Sequence, residues 1–320
     1  MAVIPTLPYL APWYRIARTD DEVVLEYGQR IVCLAGRAGA VLMPVLLPLL
    51  DGTHTLDEIV EVLGEPARPA IEAALERLDE HDLLLDGPPL SHDVPTPLSA
   101  TAKFLVALRP REVALGDAVA SLRSRSVAVV GSGPTAVEVA RLLRQSGMLV
   151  RRADSISSGV DLAVCAPASA QLPSLGEWNE QALASGQPWL QVLPFDGRYA
   201  SVGPLYVPGE TCCFECFRLR RRANLDAGDE LALLEATPAV YPTPPMLQAV
   251  VGGIAATLAL EWVVLHDHHV PSAFYAVELG QVLGVSLHHV HRVPRCPACS
   301  GLEDVSAPLP WHKEHAAAAG

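Results

Sequence analysis

Apolar and polar positions alternate along "EVVLEYG" (22–28) and "RIVCLAG" (30–36). That period of two predicts a hairpin turning at Gly28-Gln29. "WYRIART" (13–19) predicts a strand before it. The apolar run "AGAVLMPVLLPLLDG" (38–52) then predicts a helix stopped by Asp51-Gly52. Pro44 and Pro48 lie inside it, and an interior proline costs ~3 kcal/mol. The helix therefore starts near Pro44 or kinks at Pro48. In "THTLDEIVEVLG" (53–64), Thr55 and Glu58 have capping-box spacing, and Leu56, Ile59, Val60 and Leu63 form one apolar face. "ARPAIEAALERLDEHDLLLDG" (67–87) predicts a third helix striped by Ile71, Leu75 and Leu78. Short strands, three helices and a closing apolar stretch predict a small winged-helix-like domain over residues 1–87.

Residues 88–98 carry four prolines and read as a linker, and 99–124 as a helical lead-in. "SVAVVGSGPTAVEVARLLRQSG" (126–147) has the pattern of a buried strand, a glycine turn and a helix. Strands are predicted at 148–154, 160–167 and 188–197, a buried helix near 246–265, and closing strands near 273–290. The sequence thus divides into 1–87, a linker and lead-in over 88–124, a Rossmann-like α/β domain over 125–301, and a tail over 302–320.

Half of the 320 residues are hydrophobic, enough for sizeable cores. The net charge of −13 argues against a non-specific nucleic-acid binder. No uninterrupted apolar run reaches membrane-spanning length, since "VVGGIAATLALEWVVL" (250–265) is broken by Glu261. The N-terminus lacks signal-peptide order. A cytoplasmic protein is the expectation, and paired cysteines there point to metal or redox chemistry.

Cys213-x-x-Cys216 and Cys296-x-x-Cys299 are two such pairs, with 79 residues between them. Two Cys-x-x-Cys knuckles supply the four soft ligands of a closed, structural zinc site. A redox role would need a low-pKa thiol at a helix start, a context the sequence does not predict. Cys212 reads as a bystander, and Cys33 and Cys165 as packing residues. The runs "HDHH" (266–269) and "HHVH" (288–291) read as surface histidines, and His312 and His315 as part of a disordered tail. "GSGPTA" (131–136) fits G-x-G-x-x-G/A after a strand and before a helix, and Asp154 lies where a carboxylate could take a ribose hydroxyl. The competing reading is a turn kept for chain geometry alone, with Pro134 removing one donor.

The glycine turn, the two knuckles and "PPMLQAVVGGIAATLALEW" (244–262) resemble the ThiF/MoeB-like, ubiquitin-activating superfamily over about 125–301. Members of that superfamily usually adenylate a C-terminal carboxylate. "LLPLLDGTHTLDEIVEVL" with "AIEAALERLDEHDLLLDG" resembles RiPP recognition elements, typified by the peptide chaperone of pyrroloquinoline quinone biosynthesis. The combination resembles the leader-peptide-binding, ThiF-like partners of YcaO cyclodehydratases, which make azolines and azoles. The resemblance implies that a leader peptide adds to a strand at Arg30–Leu34. Val32, Leu34, Ile71 and Leu75 are then candidate pocket residues, some of which must face the core. Arg30 lies on that strand, and Arg68 and Arg77 are candidate anchors for an acidic leader. A homodimer is also implied.

The chain departs from adenylating relatives at two places. Only "SISSG" (155–159) stands where their Arg- and Asn-containing segment lies, and Ala166, Pro167 and Ala168 replace a magnesium-binding Asp. The expectation is a non-catalytic scaffold that delivers precursor peptides to a YcaO enzyme, with Gly131, Gly133 and Asp154 vestigial and ATP not expected. The alternative is an ATP-dependent enzyme adenylating a peptide carboxylate. A DNA-binding regulator conflicts with the acidic helix over 67–82.

Overall fold

Hydrophobic residues on successive strands of a seven-stranded sheet point alternately to two cores. This is the central feature of a computed structural model describing residues 4–300, apart from 227, 229, 236, 238–241 and 280–282. The strands are β6 (Ser126–Val130), β7 (Leu149–Ala153), β8 (Leu162–Cys165), β9 (Trp189–Leu193), β10 (Tyr199–Tyr206), β11 (Ala273–Leu279) and β12 (Leu283–His289). Their order is β12-β11-β10-β9-β8-β6-β7, parallel from β9 to β7 and antiparallel beyond. Val127, Val129, Leu162, Val164, Leu190 and Val192 enter the larger core. Val130, Ala163, Cys165 and Trp189 enter the smaller one, with the paired cysteines.

Helices α4 (Thr96–Leu108), α5 (Leu115–Ser124), α6 (Pro134–Gln145) and α10 (Pro245–Leu260) contribute to the larger core. Helices α7 (Ser174–Ser185) and α8 (Phe214–Ala223) contribute to the other, and α9 (Leu231–Glu235) is a short turn ion-paired to α8 through Glu235 and Arg218. Helix α10, continued by the turn Glu261–Leu265, is apolar and long enough to cross a membrane, but its buried residues place it as a core helix of the α/β fold.

The N-terminal elements are β1 (Pro8–Leu10), β2 (Arg15–Arg18), β3 (Glu22–Tyr27), β4 (Arg30–Ala35), α1 (Met43–Leu46), α2 (Leu56–Leu63), α3 (Arg68–Glu80) and β5 (Leu84–Asp86). The predicted hairpin is present, with Gly28 at φ +61° in its turn, and β2 completes a three-stranded sheet. The capping box of α2 is present: Thr55 N–H donates to Glu58 at 2.7 Å, and Glu58 N–H to Thr55 Oγ1 at 3.4 Å.

The sequence reading needs three corrections here. The single helix over 38–52 is broken into a wide turn (Ala38–Leu42), α1 and a tight turn (Leu47–Leu49). Pro44 and Pro48 each stand at the start of a segment, where their missing N–H is tolerated. The third helix stops at Glu80, and Leu84–Asp86 instead pairs antiparallel with β1. Finally, no distinct winged-helix domain stands apart. One continuous core holds Leu25, Ile59 and Leu78 from the N-terminal elements together with Leu105, Val129 and Val251. Arg111, just beyond α4, reaches both Asp79 and Asp82. Helices α7 and α8 and strand β10 lie on either side of the strand predicted at 188–197, in stretches that the periodicity left without elements.

Candidate functional site

Cys213 is the residue just before the first turn of α8. Asn179 of α7 accepts the Phe214 N–H at 3.0 Å, which fixes how that helix starts against its neighbour. Cys216 sits one turn on. The second knuckle follows β12, and Cys296 N–H donates to Val293 O at 3.1 Å. The Sγ atoms of 213 and 296 are 3.6 Å apart, those of 216 and 299 are 3.5 Å apart, and those of 213 and 216 are 3.9 Å apart. All four ligand atoms lie within 4.8 Å of one another. A tetrahedron of Zn–S bonds of about 2.3 Å has edges of about 3.8 Å. The four cysteines of the two knuckles come together in a cluster able to hold a metal.

Backbone groups support this cluster from outside. Val293 N–H donates to Cys216 Sγ at 3.3 Å, and Arg292 donates to Cys299 O. Arg220 reaches the carbonyls of 291 and 292. Without a cation, burial raises the Cys213 thiol and pushes Cys299 up to about 11. For Cys216, burial works against ionisation, but the Val293 and Cys213 backbone hydrogen bonds outweigh it and the thiol lies below its ordinary value. The first pair does open a helix, contrary to the sequence reading, yet its thiols face two further cysteines rather than a redox substrate.

Cys212 is buried beside the cluster and outside it, and Cys165 is fully buried in its strand. Cys33 is a correction: it lies exposed on β4 rather than in the core. His266, His268, His269, His288, His289 and His291 are exposed, and His312 and His315 lie outside the described residues.

The glycine turn lies at the C-terminal end of β6. Its partner β7 follows β6 in sequence, whereas β8 pairs on the other side, so the strand order reverses here. Such switch points leave a crevice at the strand ends. Gly131, at φ +108°, and Gly133 face the loop after β8. A Cβ on Gly131 would stand 2.4 Å from Ala166 O, and one on Gly133 would stand 3.1 Å from Pro167 O. Packing between the two loops therefore requires Gly131, while Gly133 makes a close but less strict approach. Gly131 N–H donates to Ala153 O, which brings Asp154 beside it, exposed at the end of β7.

Donors surround this turn. Arg152 donates to Gly131 O. Ser132 presents both its N–H and its hydroxyl, directed at Gln171 Oε1. The sequence reading missed Arg152, Ser132 and Gln171; position next to the glycine motif was the only signal for the first two. An open cleft of about 590 Å³ adjoins the turn between α6 and α10, lined by Ser132, Pro134, Glu138 and Gln248 among others.

The peptide-binding candidates separate by burial. Strand β4 is an edge of its sheet, with one neighbour, β3. Val32, Ile71 and Leu75 are in the core, so they do not line an open pocket. Leu34 is half-buried, while Ile31 and Cys33 face solvent. Arg30 pairs with Asp82 at 3.3 Å, and Arg77 with Glu80 at 2.9 Å. Arg68 meets Glu65 at 2.8 Å and Asp57 at 3.0 Å. These are largely exposed pairs, each worth about 0–1 kcal/mol, which an incoming carboxylate could exchange.

The arrangement is an α/β, Rossmann-like fold carrying a four-cysteine cluster able to hold a metal. E. coli MccB has this fold. Its structure with ATP is 15% identical and covers 91% of this chain and 99% of its own, with TM-score 0.63. A structure titled "Heterocyclase in complex with substrate and Cofactor" is 27% identical and covers 92% of this chain, with TM-score 0.69. The heterocyclase TruD is 25% identical over 92% of this chain, again at TM-score 0.69. This chain spans 39% and 43% of the two heterocyclase chains. No protein-family model and no curated protein sequence matches it.

These likenesses overturn the reading of a retired, non-catalytic scaffold delivering peptides to a YcaO enzyme. The fold is that of MccB, a microcin C7 biosynthetic enzyme solved with ATP and with MccA. The short 155–159 segment and the missing carboxylate at 166–168 are thus no ground for setting ATP aside, and no likeness names a separate cyclodehydratase partner.

Proposed function

We propose that this chain is an ATP-dependent enzyme that adenylates the carboxylate of a peptide substrate. The observation that carries the proposal is the likeness over nine-tenths of the chain to MccB, whose structures hold ATP in one case and AMPCPP with MccA in another. The likeness to two heterocyclases also supports an enzyme.

In this reading the nucleotide lies across the strand ends at Gly131–Ala136. Ser132 N–H and Oγ, with the Arg152 guanidinium, meet phosphate oxygens, and Asp154 accepts a ribose hydroxyl. The loop after β8 brings no carboxylate, so neutralisation of the phosphates falls to arginine and backbone donors. A peptide carboxylate oxygen attacks the α-phosphorus, forming the acyl-phosphate bond while the bond to pyrophosphate breaks. The peptide is held by addition to the free edge of β4, where Ile31, Cys33 and Leu34 are the available side chains. Residues 1–87 are the peptide-holding part and 125–301 the nucleotide-holding part. Edge strand β12, with Leu283, Val285 and Leu287 about half exposed, supports pairing with a second copy, which sedimentation would check.

Exchange of labelled pyrophosphate into ATP tests the reading. Synthetic peptides with a free C-terminal carboxylate should support exchange, and the same peptides carrying a C-terminal amide should not. Peptides that bind the protein yet never support exchange would sink the proposal.

A further inference from the structure

Three donors converge on one neutral oxygen beside the glycine turn. Gln171 Oε1 accepts from Ser132 N–H at 2.8 Å, Ser132 Oγ at 2.9 Å and Ala168 N–H at 3.1 Å. An amide oxygen has two lone pairs, so a third donor is more than it can satisfy well. Donors gathered this way are better matched to an anionic oxygen, for which each hydrogen bond is roughly twice as strong. Gln171 ends a single helical turn (Ser169–Gln171) in the loop facing Gly131 and Gly133, so its side chain bridges the mouth of the crevice.

We infer that Gln171 is a built-in competitor for the phosphate position: its amide oxygen fills the Ser132–Ala168 donor nest, and a phosphate oxygen enters by displacing it. The inference rests on the proposed nucleotide site and adds a gate to it. With the gate shut, the exposed Ser132 donors and the half-buried Ala168 N–H are all engaged by one side chain, and the loops on either side of the crevice are tied together. Release exchanges three hydrogen bonds to a neutral acceptor for bonds to a charged one, and frees the side chain to solvent. Discrimination follows, because a ligand without an anionic group gains nothing by opening the nest.

The test measures binding of inorganic pyrophosphate and of ATP to full-length wild type, Gln171→Ala and Gln171→Glu by calorimetry, with circular dichroism as a folding check. Gln171→Ala should tighten both ligands by about 3–10-fold, the share of one net hydrogen-bonded competitor. Gln171→Glu places a carboxylate in the nest and should weaken both by about tenfold or more. Equal affinities in all three proteins, or weaker binding by Gln171→Ala, would make Gln171 a mere staple and overturn the inference, while ATP binding itself would leave the nucleotide reading standing. If pyrophosphate follows the expected order but ATP binds none of the proteins, the nest stands and the ATP reading falls. If neither probe binds any of them, both fall.

Discussion

Gly131 and Ala166 approach so closely that a single methyl group cannot be placed between them: a Cβ on Gly131 would lie 2.4 Å from the Ala166 carbonyl oxygen. The residue also holds φ +108°, outside the range of ordinary side chains. Gly131→Ala should therefore cost roughly 2–4 kcal/mol, from strain plus a backbone clash. Urea denaturation against wild type measures this. A loss under about 0.5 kcal/mol would mean that the loops move apart freely.

Metal content gives the second prediction. Purified protein should carry one zinc per chain by elemental analysis. Cys296→Ser should lose most of it and destabilise the fold by roughly 3–5 kcal/mol. Thiols must ionise to bind, and burial holds the metal-free Cys299 thiol up at about 11, so metal retention should fall as pH is lowered.

Asp267 supplies a pH signature. Burial opposes its ionisation, but the His269 backbone N–H, Arg109 at 3.0 Å and the His269 ring at 2.9 Å outweigh that, holding the carboxyl down to about 2. Its folded pKa is below its unfolded one, so its stabilisation is present above the ordinary carboxylate range and fades as pH falls toward about 2. Asp267→Asn should cost about 1–3 kcal/mol at neutral pH. That difference should shrink in acid, as urea titrations across the pH range would record. A gap that grows in acid would contradict the assignment.

Thiol chemistry separates the cysteines that look alike in sequence. Cys33 is exposed, whereas burial raises the Cys165 thiol well above its ordinary value and holds Cys212 up at about 12. Metal-loaded protein should show one fast-reacting thiol with a chromogenic disulfide, and Cys33→Ser should abolish it. Under the proposed function, a bound peptide should slow that reaction by covering β4.

Much of the fold was legible because its signals are local. Thr55 and Glu58 announce a helix start within one turn, and the glycine motif ties strand to helix within six residues. The cysteine knuckles are legible for a different reason: four soft ligands leave few alternatives. What stayed hidden depended on distant partners. Pro8–Leu10 becomes a strand only because Leu84–Asp86 returns to pair with it. Val32 and Cys33 are neighbours of opposite fate, and alternation alone does not say which face the rest of the protein covers. Gln171 carries no sequence signal; its role arises from a loop crossing to residue 132. Absent motif residues are visible in a sequence, whereas the donors at Ser132 and Arg152 become available only once the loops fold against each other.

The two cysteine knuckles stand at either end of a long stretch of chain, with 79 residues between Cys216 and Cys296. A metal that joined them would turn that stretch into a closed ring containing α10, β11 and β12. By the chain-entropy estimate, closing a ring of this size removes about 4 kcal/mol of freedom from the unfolded state. An ion held there would act as a reversible cross-link in a chain whose cysteines are all unpaired. Loss of such a metal would release two of the three antiparallel strands, β11 and β12, from that ring without cutting the chain.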